Sequence, residues 1–312
     1  MKTTILTALL LLCQVALFAQ LQPIFSIYRE QNALLNPAIP SPNYTFNELS
    51  NSISATYRYQ WLNVPDAPIT QVLAWEKMLE DQNLLIGAHL LNDKTGDIGV
   101  TSAYLRCAYR LMLDEMDKRF LTIGLNAGGS RRYANLANYA AKQNITLLDK
   151  ARFLPDLSMG VYYQHGNIFY TGISATQLLN NSHTIESNNS LPASLKLPPQ
   201  LNGMFGCYFD APFFGNDVAF IEPNVWLRYL PNQNYFGLDL GIRTKISQTF
   251  WAGSSYNLTA KTLNIELGSV LGEAVGFSAG NFKIGLGFVV PLGVISRGFG
   301  LGGEINLSYA WE

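Results

Sequence analysis

Charged residues are scarce in this chain. Only 14% of its 312 residues are Asp, Glu, Lys or Arg, and the formal net charge at pH 7 is −1. A soluble domain usually carries about 25% charged residues. Disordered chains are highly charged and poor in apolar residues, whereas this chain is 48% hydrophobic, which excludes that class. The lack of a basic surplus argues against nucleic acid as a partner, because phosphates are bound with Lys and Arg.

Long apolar runs are also missing beyond the N-terminus. A membrane-spanning helix needs about 18 or more apolar residues in succession. The longest later candidate, residues 288–295, is short and is interrupted by Pro291 and Gly293. The sequence therefore excludes a helical membrane protein.

The N-terminus has the layout of a secretory signal peptide. Lys2 supplies a positive charge, residues 5–18 are almost wholly apolar, and Ala19 precedes Gln20. We therefore expect residues 1–19 to be removed. A membrane anchor and a lipoprotein cut before Cys13 are the alternatives.

Cysteine and histidine are too few and too scattered for a cofactor or metal site. Cys107 and Cys207 remain after the signal peptide, and we expect two unpaired thiols, with a disulfide as the alternative. His89, His165 and His183 do not lie at metal-ligand spacing. No Gly-x-Ser-x-Gly motif is present. These absences predict a protein that is not an enzyme and binds no cofactor.

What the sequence does contain is alternation of apolar and polar residues with period two. In residues 235–246 one face carries Phe, Leu and Ile, and the other carries Gly, Asp, Arg and Lys. The same alternation marks residues 52–61, 121–126, 282–288 and 304–311. This pattern is typical of β-strands with one polar and one apolar face.

The length and composition of these strands favour a membrane barrel. Many segments approach ten residues, which suffices to cross a bilayer at a tilt. Tyr and Trp lie near the ends of several runs, as at Tyr59, Trp61 and Trp311, which is typical of an interfacial girdle. Glycine recurs on the polar face, where it would weaken a solvent-exposed strand but leaves room inside a barrel. A secreted soluble β-sandwich is the alternative.

We therefore predict an all-β fold: a single antiparallel transmembrane β-barrel over residues 50–312, with about 14 strands and long extracellular loops. The fifteen candidate strands are 50–61, 69–76, 84–92, 100–112, 119–127, 157–164, 167–176, 202–210, 218–230, 235–247, 249–257, 261–267, 273–279, 281–290 and 299–311. An even number is usual in bacterial barrels. Residues 20–49 hold prolines and no clean period, which predicts an N-terminal arm that is periplasmic or packed in the lumen.

Three other stretches interrupt the strand pattern. Residues 131–150 are rich in Ala and predict a short helix or a long loop. Residues 180–200 are rich in Asn, Ser and Pro and predict a long, mobile loop. The stretch Asn92–Asp93–Lys94–Thr95–Gly96 predicts a hairpin turn. A cation site is the alternative, but the stretch lacks the ligand spacing of a calcium loop.

Several short motifs resemble those of a known family, in chain order. They are Phe25-Ser26-Ile27-Tyr28 with Asn36-Pro37-Ala38, Tyr57-Arg58-Tyr59-Gln60-Trp61, Ala67-Pro68-Ile69-Thr70, the strand from Ile86 to Asn92-Asp93-Lys94-Thr95-Gly96, Pro155-Asp156 to Tyr163, residues 169–174, and Glu304-Ile305-Asn306-Leu307-Ser308-Tyr309. Together they resemble the PorP/SprF family of outer-membrane proteins of the type IX secretion system and gliding apparatus. Glu312 departs from the family's final aromatic, and residues 180–200 match no family motif.

This resemblance implies an outer-membrane barrel that docks, escorts or anchors secreted cargo or translocon components without catalysis. The implied partners are outer-membrane lipid, type IX translocon or periplasmic components, and exported proteins with a C-terminal sorting domain. The arm and the loop 180–200 are the expected docking surfaces, and a passive porin-like channel is the alternative function. The candidate residues for partner contact or for the lumen are Asn36, Pro37, Arg58, Gln60, Trp61, Pro68, Asn92, Asp93, Gly96, Pro155, Asp156 and Glu304.

One physical reading of these motifs needs no partner. Arg58 and Gln60 share the polar face of their strand with Ser54 and Thr56. An inward Arg in a barrel needs a carboxylate, and Asp239 and Glu304 are the candidates. Pro37 fixes a turn after Asn36, because proline sets φ and disfavours helix before it.

Overall fold

The computed structural model describes residues 25–114, 116, 118–134, 147–148, 152–179, 182–187, 193–196, 198–214, 219–231, 234–293 and 296–312. Within them, fourteen antiparallel strands form one closed barrel, which confirms the predicted fold and strand number. The strands are β1 Asn51–Tyr59, β2 Ile69–Leu79, β3 Leu84–Thr95, β4 Ile98–Asp114, β5 Arg119–Ala134, β6 Arg152–His165, β7 Phe169–Thr176, β8 Gln200–Cys207, β9 Phe220–Leu230, β10 Tyr235–Lys245, β11 Phe250–Asn257, β12 Thr262–Leu271, β13 Asn281–Pro291 and β14 Gly302–Trp311.

Each strand pairs with its neighbours in sequence, and the first strand pairs with the last. The β1–β14 register runs from Asn51 opposite Trp311 to Tyr59 opposite Gly303. β8 pairs with β9 in the same antiparallel way, so no strand edge of the barrel is left open. Closure satisfies the backbone hydrogen bonds that an open sheet edge would leave unpaired in lipid.

The two faces of the wall differ as the alternation predicts. The outward side chains are apolar and exposed, as in Leu105 at 71% and Ile173 at 67%. The inward side chains of the same strands are polar and buried, for example Arg106 beside Leu105 and Ser174 beside Ile173. An apolar outer face and a polar interior are the reverse of a soluble protein and match a barrel in lipid.

The two ends of the barrel carry different connections. The chain enters β1 and leaves β14 at one end, called the lower end, which holds the turns β2–β3, β4–β5, β6–β7, β8–β9, β10–β11 and β12–β13. The longest connections, β5–β6 and β7–β8, lie at the opposite, upper end. Outer-membrane barrels place short turns in the periplasm and long loops outside, so the lower end faces the periplasm.

The predicted strand 273–279 is wrong. Residues Glu273–Val275 form a 3₁₀ turn, and Gly276 follows it with φ of 81°. This left-handed conformation reverses the chain at the lower end before β13 begins. The alternation of Val275 and Phe277 with smaller residues imitated a strand.

The two long upper connections also differ from the prediction. β5 continues to Ala134, so residues 131–134 are strand and neither helix nor loop, while residues 135–146 and 149–151 lie outside the described residues. Within 180–200, Ser182–Ser187 pairs with Ala193–Lys196 as a hairpin, and Leu147–Leu148 pairs with Glu186 and Ser187. Short paired strands thus lie within the stretch predicted as a long, mobile loop, of which residues 180–181, 188–192 and 197 lie outside the described residues.

The segment before β1 is built from short helical turns. A 3₁₀ turn at Tyr28–Gln31 is followed by α1, Asn32–Leu35, and by α2, Pro42–Asn47. The N-cap Ser41 accepts a hydrogen bond from the backbone N–H of Tyr44 at 3.3 Å, and Pro42 begins α2 without losing a needed donor.

Among the described residues, no helix combines the length and the apolar character needed to cross a membrane.

The remaining 3₁₀ turns are Glu80–Gln82, Pro212–Phe214 and Ser296–Phe299, and the short strand Phe209–Asp210 pairs with β9. The expected signal peptide, residues 1–19, lies outside the described residues.

Candidate functional site

Residues 25–49, called the arm, lie in the lumen of the barrel. Its apolar side chains are buried, including Phe25, Ile27, Leu35 and Ile39 at no more than 4% exposure. Its polar groups bond to inward side chains of strands from all parts of the barrel, as the contacts below show. The arm therefore lies inside the barrel and not on its outer surface.

The upper part of the arm is anchored on Glu304. One carboxylate oxygen of Glu304 accepts hydrogen bonds from the backbone N–H and the hydroxyl of Ser26, both at 2.7 Å. Arg58 lies directly opposite Glu304 across the β1–β14 pair, with its Nε 3.8 Å from the carboxylate. Gln60 places its amide beside the Arg58 guanidinium. Three residues singled out from the sequence thus meet at one point of the lumen.

Of the two carboxylates expected to pair with Arg58, the structure uses Glu304. Asp239 instead pairs with Arg228, at 2.6 Å, and accepts a hydrogen bond from Asn257 at 2.8 Å. Asp239 and Arg228 lie on the neighbouring strands β10 and β9, far along the chain from β1.

Removing the charge of Glu304 is expected to loosen the barrel. A Glu304→Gln substitution takes the main counter-charge from the buried Arg58 and weakens the bonds to Ser26. Breaking a buried ion pair in this way costs about 3–5 kcal/mol. The midpoint of heat-induced unfolding, read from the mobility shift on semi-native gels, should fall clearly. Glu312→Gln at the exposed C-terminus is the matched control, and equal midpoints for the two variants would contradict the role given to Glu304.

Asn36 and Pro37 rest on three inward glycines, Gly124, Gly160 and Gly172, called the glycine seat. The Asn36 amide donates to the backbone carbonyls of Val161 and Ile173, each at 3.2 Å. Its oxygen accepts from the Ala38 N–H at 2.9 Å, which fixes the turn around Pro37.

The glycine seat exists because these positions have no side chain. A Cβ on Gly160 would lie 2.0 Å from the Asn36 oxygen, and one on Gly124 would lie 2.4 Å from the Pro37 carbonyl. Gly124 and Gly160 face each other across β5 and β6, and Gly172 lies on the next strand, β7. The wall therefore has a depression that fits the Asn-Pro turn.

Arg106 clamps the arm on the far side of this turn. Its Nε donates to the Pro37 carbonyl at 2.8 Å, and one terminal nitrogen donates to the Ile39 carbonyl. The other terminal nitrogen pairs with Glu76 at 2.8 Å, and Glu76 in turn accepts from the Ser41 N–H at 2.7 Å. A buried Arg is stable here because each edge of its guanidinium has an acceptor.

The lower half of the lumen holds three ion pairs made by the arm. Arg29 pairs with Glu222 of β9 and donates to the Tyr170 hydroxyl at 2.8 Å. The next arm residue, Glu30, pairs with Lys283 of β13 and lies 3.4 Å from Arg243 of β10. Burial opposes ionisation of Glu30, but these two cations outweigh it and lower the pKa of the carboxyl below its usual value.

The other candidate residues lie at the upper rim or in the wall. Trp61 has a left-handed backbone with φ of 55°, and its ring packs against Phe299 with centroids 5.2 Å apart. The Pro68 carbonyl accepts from the Gln60 N–H at 3.0 Å, which closes the β1–β2 loop. Pro155 is exposed within β6, and Asp156 accepts from the Tyr104 hydroxyl at 2.9 Å.

The stretch Asn92–Gly96 forms the hairpin between β3 and β4. Gly96 takes φ of 58° at the turn, and its N–H donates to the Asp66 carbonyl at 2.9 Å. Asp93 accepts from the Thr70 hydroxyl at 2.6 Å, and Asn92 donates to Gln71 at 3.2 Å. Asn92 and Asp93 thus each have a hydrogen-bond partner on β2 next to the hairpin.

Metal ligands and reactive thiols are not assembled anywhere in the described part of the chain. No group of three or more His, Cys, Asp or Glu residues is arranged to hold a metal ion there. Cys107 and Cys207 are both free thiols. His89 is buried in the lumen and stacks on Tyr104 with ring centroids 5.1 Å apart, while the His183 side chain lies outside the described set.

Sequence reasoning missed most of the residues that hold the arm. Arg29, Glu30, Arg106 and Glu222 were not singled out, and neither was the glycine seat. The signal for the wall residues was present, because Arg106 and Glu222 are charges on inward positions of apolar strands. No periodic signal marks the arm residues.

Comparison with known proteins identifies the family. The model of the family described as type IX secretion system membrane protein PorP/SprF matches residues 17–309. The chain belongs to the PorP/SprF family. The resemblance seen in the motifs is thereby confirmed, and this PorP/SprF protein is an outer-membrane β-barrel.

Solved structures share the fold of this PorP/SprF protein at low sequence identity. The CymD monoaromatic hydrocarbon channel is 14% identical, with a TM-score of 0.52 over 93% of both chains. A Pseudomonas aeruginosa FadL homologue is 10% identical, with a TM-score of 0.54 over 94% of this chain and 99% of that one. These likenesses concern the fold alone. A search of curated proteins finds no matching sequence.

Proposed function

We propose that this PorP/SprF barrel is a non-enzymatic docking component of type IX secretion. On this proposal it holds exported cargo or translocon components at the outer membrane. The observation that carries the proposal is the position of the arm inside the lumen. The arm contacts the wall from Glu304 near the upper end to Tyr44 and Glu48 at the lower end. A barrel closed by its own chain is suited to present surfaces to partners.

Because the arm lies in the lumen, the two ends of the barrel are the surfaces that remain for such partners. One is formed by the upper loops, which include the Ser182–Ser187 and Ala193–Lys196 hairpin. The other is the lower mouth, where α2 and the turns of β2–β3, β4–β5 and β6–β7 meet. We assign exported proteins with a C-terminal sorting domain to the upper surface and translocon or periplasmic components to the lower one.

Co-purification tests the docking proposal directly. The tagged protein is solubilised from outer membranes in mild detergent, and the proteins that remain bound are identified by mass spectrometry. We expect an exported protein with a C-terminal sorting domain, translocon parts, or both, in amounts comparable with the barrel. An unrelated tagged outer-membrane barrel from the same membranes is the control. Recovery of the barrel alone, in its folded form, would count against docking.

The alternative function is a passive channel. The observation in its favour is the polar lining of the lumen, where Arg106, Arg228, Arg243 and Lys283 face inward. Each of these four cations is paired with a carboxylate, which weakens its attraction for anionic solutes. Electrical conductance separates the two functions, because only a passive channel conducts ions steadily through the intact protein.

A further inference from the structure

A cavity of about 330 Å³ opens at the lower end of the barrel. It lies between α2 of the arm and the lower ends of β4, β5 and β6, and its walls include Tyr44, Glu48, Arg110, Lys118, Phe120 and Tyr162. Its volume is at the small end of ligand pockets and suits one or two side chains. The side chains that hold the arm leave most of this cavity empty.

Arg110 is the buried charge of this cavity. It is 9% exposed, and its guanidinium lies between two rings, 5.0 Å from the Tyr44 centroid and 4.6 Å from the Phe120 centroid. Its Nε has no hydrogen-bond partner. Within the described part of the chain, no carboxylate forms an ion pair with Arg110. The Tyr44 hydroxyl is within reach of this guanidinium, but the unused Nε donor and the missing counter-charge remain costly unless a ligand completes the site.

The nearby acids do not serve Arg110. Glu48 pairs with Lys118 at 3.1 Å, and its side chain is 78% exposed at the rim. Glu80, also at the rim, is exposed. Both acids repel anions, and they repel a dianion such as phosphate more strongly than a single carboxylate, whose one charge a single guanidinium can balance.

We propose that this cavity receives a carboxylate side chain, Asp or Glu, from a periplasmic polypeptide. The opening faces the periplasm, and the aromatic walls fit the apolar stem of such a side chain. The site deepens the docking proposal and rests on it for the biological identity of the partner. The binding chemistry itself is tested separately from co-purification.

A random heptapeptide library displayed on phage provides the probe. It is selected against the full-length protein folded in detergent, with Arg110→Gln protein used to remove peptides that bind elsewhere. We expect the surviving peptides to be enriched in Asp or Glu at one position. No acidic enrichment, or the same enrichment on Arg110→Gln protein, would overturn the proposal.

Two matched comparisons complete the test. The best peptide is synthesised with its acidic residue and with the corresponding amide, and we expect the amide form to bind roughly 10- to 100-fold more weakly. Asn167→Trp, at an exposed position on the cavity rim, should abolish binding while leaving Arg110 in place. Heat-modifiable mobility shows that each variant is folded. Equal binding by the two peptides, or undiminished binding to Asn167→Trp protein, would contradict the site.

A small carboxylic acid tests whether the cavity requires a carboxylate that belongs to a polypeptide. If 3-phenylpropionate binds at the cavity as tightly as the selected peptide, the polypeptide part of the proposal is wrong. Weak binding of this acid together with tight binding of the acidic peptide supports it.

Discussion

Deleting residues 25–49 should convert the closed barrel into an open pore in living cells. The arm is bonded to inward side chains around the whole circumference, including Thr56, Arg106, Ser174 and Glu304. Without it, a fourteen-strand barrel has a wide polar lumen lined by Arg, Lys and Glu. Cells that produce this variant should become sensitive to large hydrophilic antibiotics that the outer membrane normally excludes.

The same deletion should also destabilise the barrel strongly. Each buried hydrogen bond contributes about 1 kcal/mol, and the deletion removes those that Arg106 donates to the arm. It also removes the arm partners of Glu222 and Lys283 and so leaves two buried charges without their ion pairs. We expect the unfolding midpoint to fall by at least about 10 °C. Removal of residues 182–196 at the upper end, with the arm intact, is the matched control and should leave antibiotic sensitivity unchanged. An arm-deleted barrel that stays closed to antibiotics would show that the arm is not the plug.

A single methyl group on the glycine seat is expected to have the second-largest effect. In a Gly124→Ala variant the new Cβ would lie within 2.4–2.6 Å of backbone atoms of Pro37 and Ala38, which cannot rotate away as a side chain could. The arm must therefore lift from the wall, and the hydrogen bonds of Asn36 to Val161 and Ile173 are lost. Overpacking of this kind costs about 1–3 kcal/mol before the lost hydrogen bonds are counted.

Hydrogen exchange measures this displacement. The peptide that contains Asn36 to Ile39 should exchange at least about tenfold faster in Gly124→Ala protein, since 1.4 kcal/mol corresponds to a factor of ten. Gly203→Ala is the control, because a Cβ there points outward and meets Leu227 at an ordinary 3.7 Å. Unchanged exchange in Gly124→Ala protein would mean that Asn36 and Pro37 do not depend on the seat.

The barrel could be predicted from the sequence because its signal is local. Alternation along each strand assigns every second residue to lipid or to the lumen, and the same alternation placed Arg58 and Gln60 inside. The pairing of Arg58 with Glu304 joins the first strand to the last, so it follows only from closure of the barrel. The sequence narrowed the partner of Arg58 to two carboxylates, and the register selects Glu304.

The path of the arm could not be predicted because its structure is set by tertiary contacts. Tyr28–Gln31 and Asn32–Leu35 are single turns, too short to show a periodic pattern. The family resemblance pointed to Asn36 and Pro37, but their seat consists of glycines on three separate strands. A glycine within a strand indicates a close approach of another backbone without naming what approaches.

The recording of ionic current through the intact protein in a planar bilayer tests the central claim most directly. If the arm fills the lumen of a docking barrel, the full-length protein should insert and show no steady conductance steps, while the arm-deleted protein shows large ones. Steady ohmic steps from the intact, heat-modifiable protein would contradict the account and favour a passive channel.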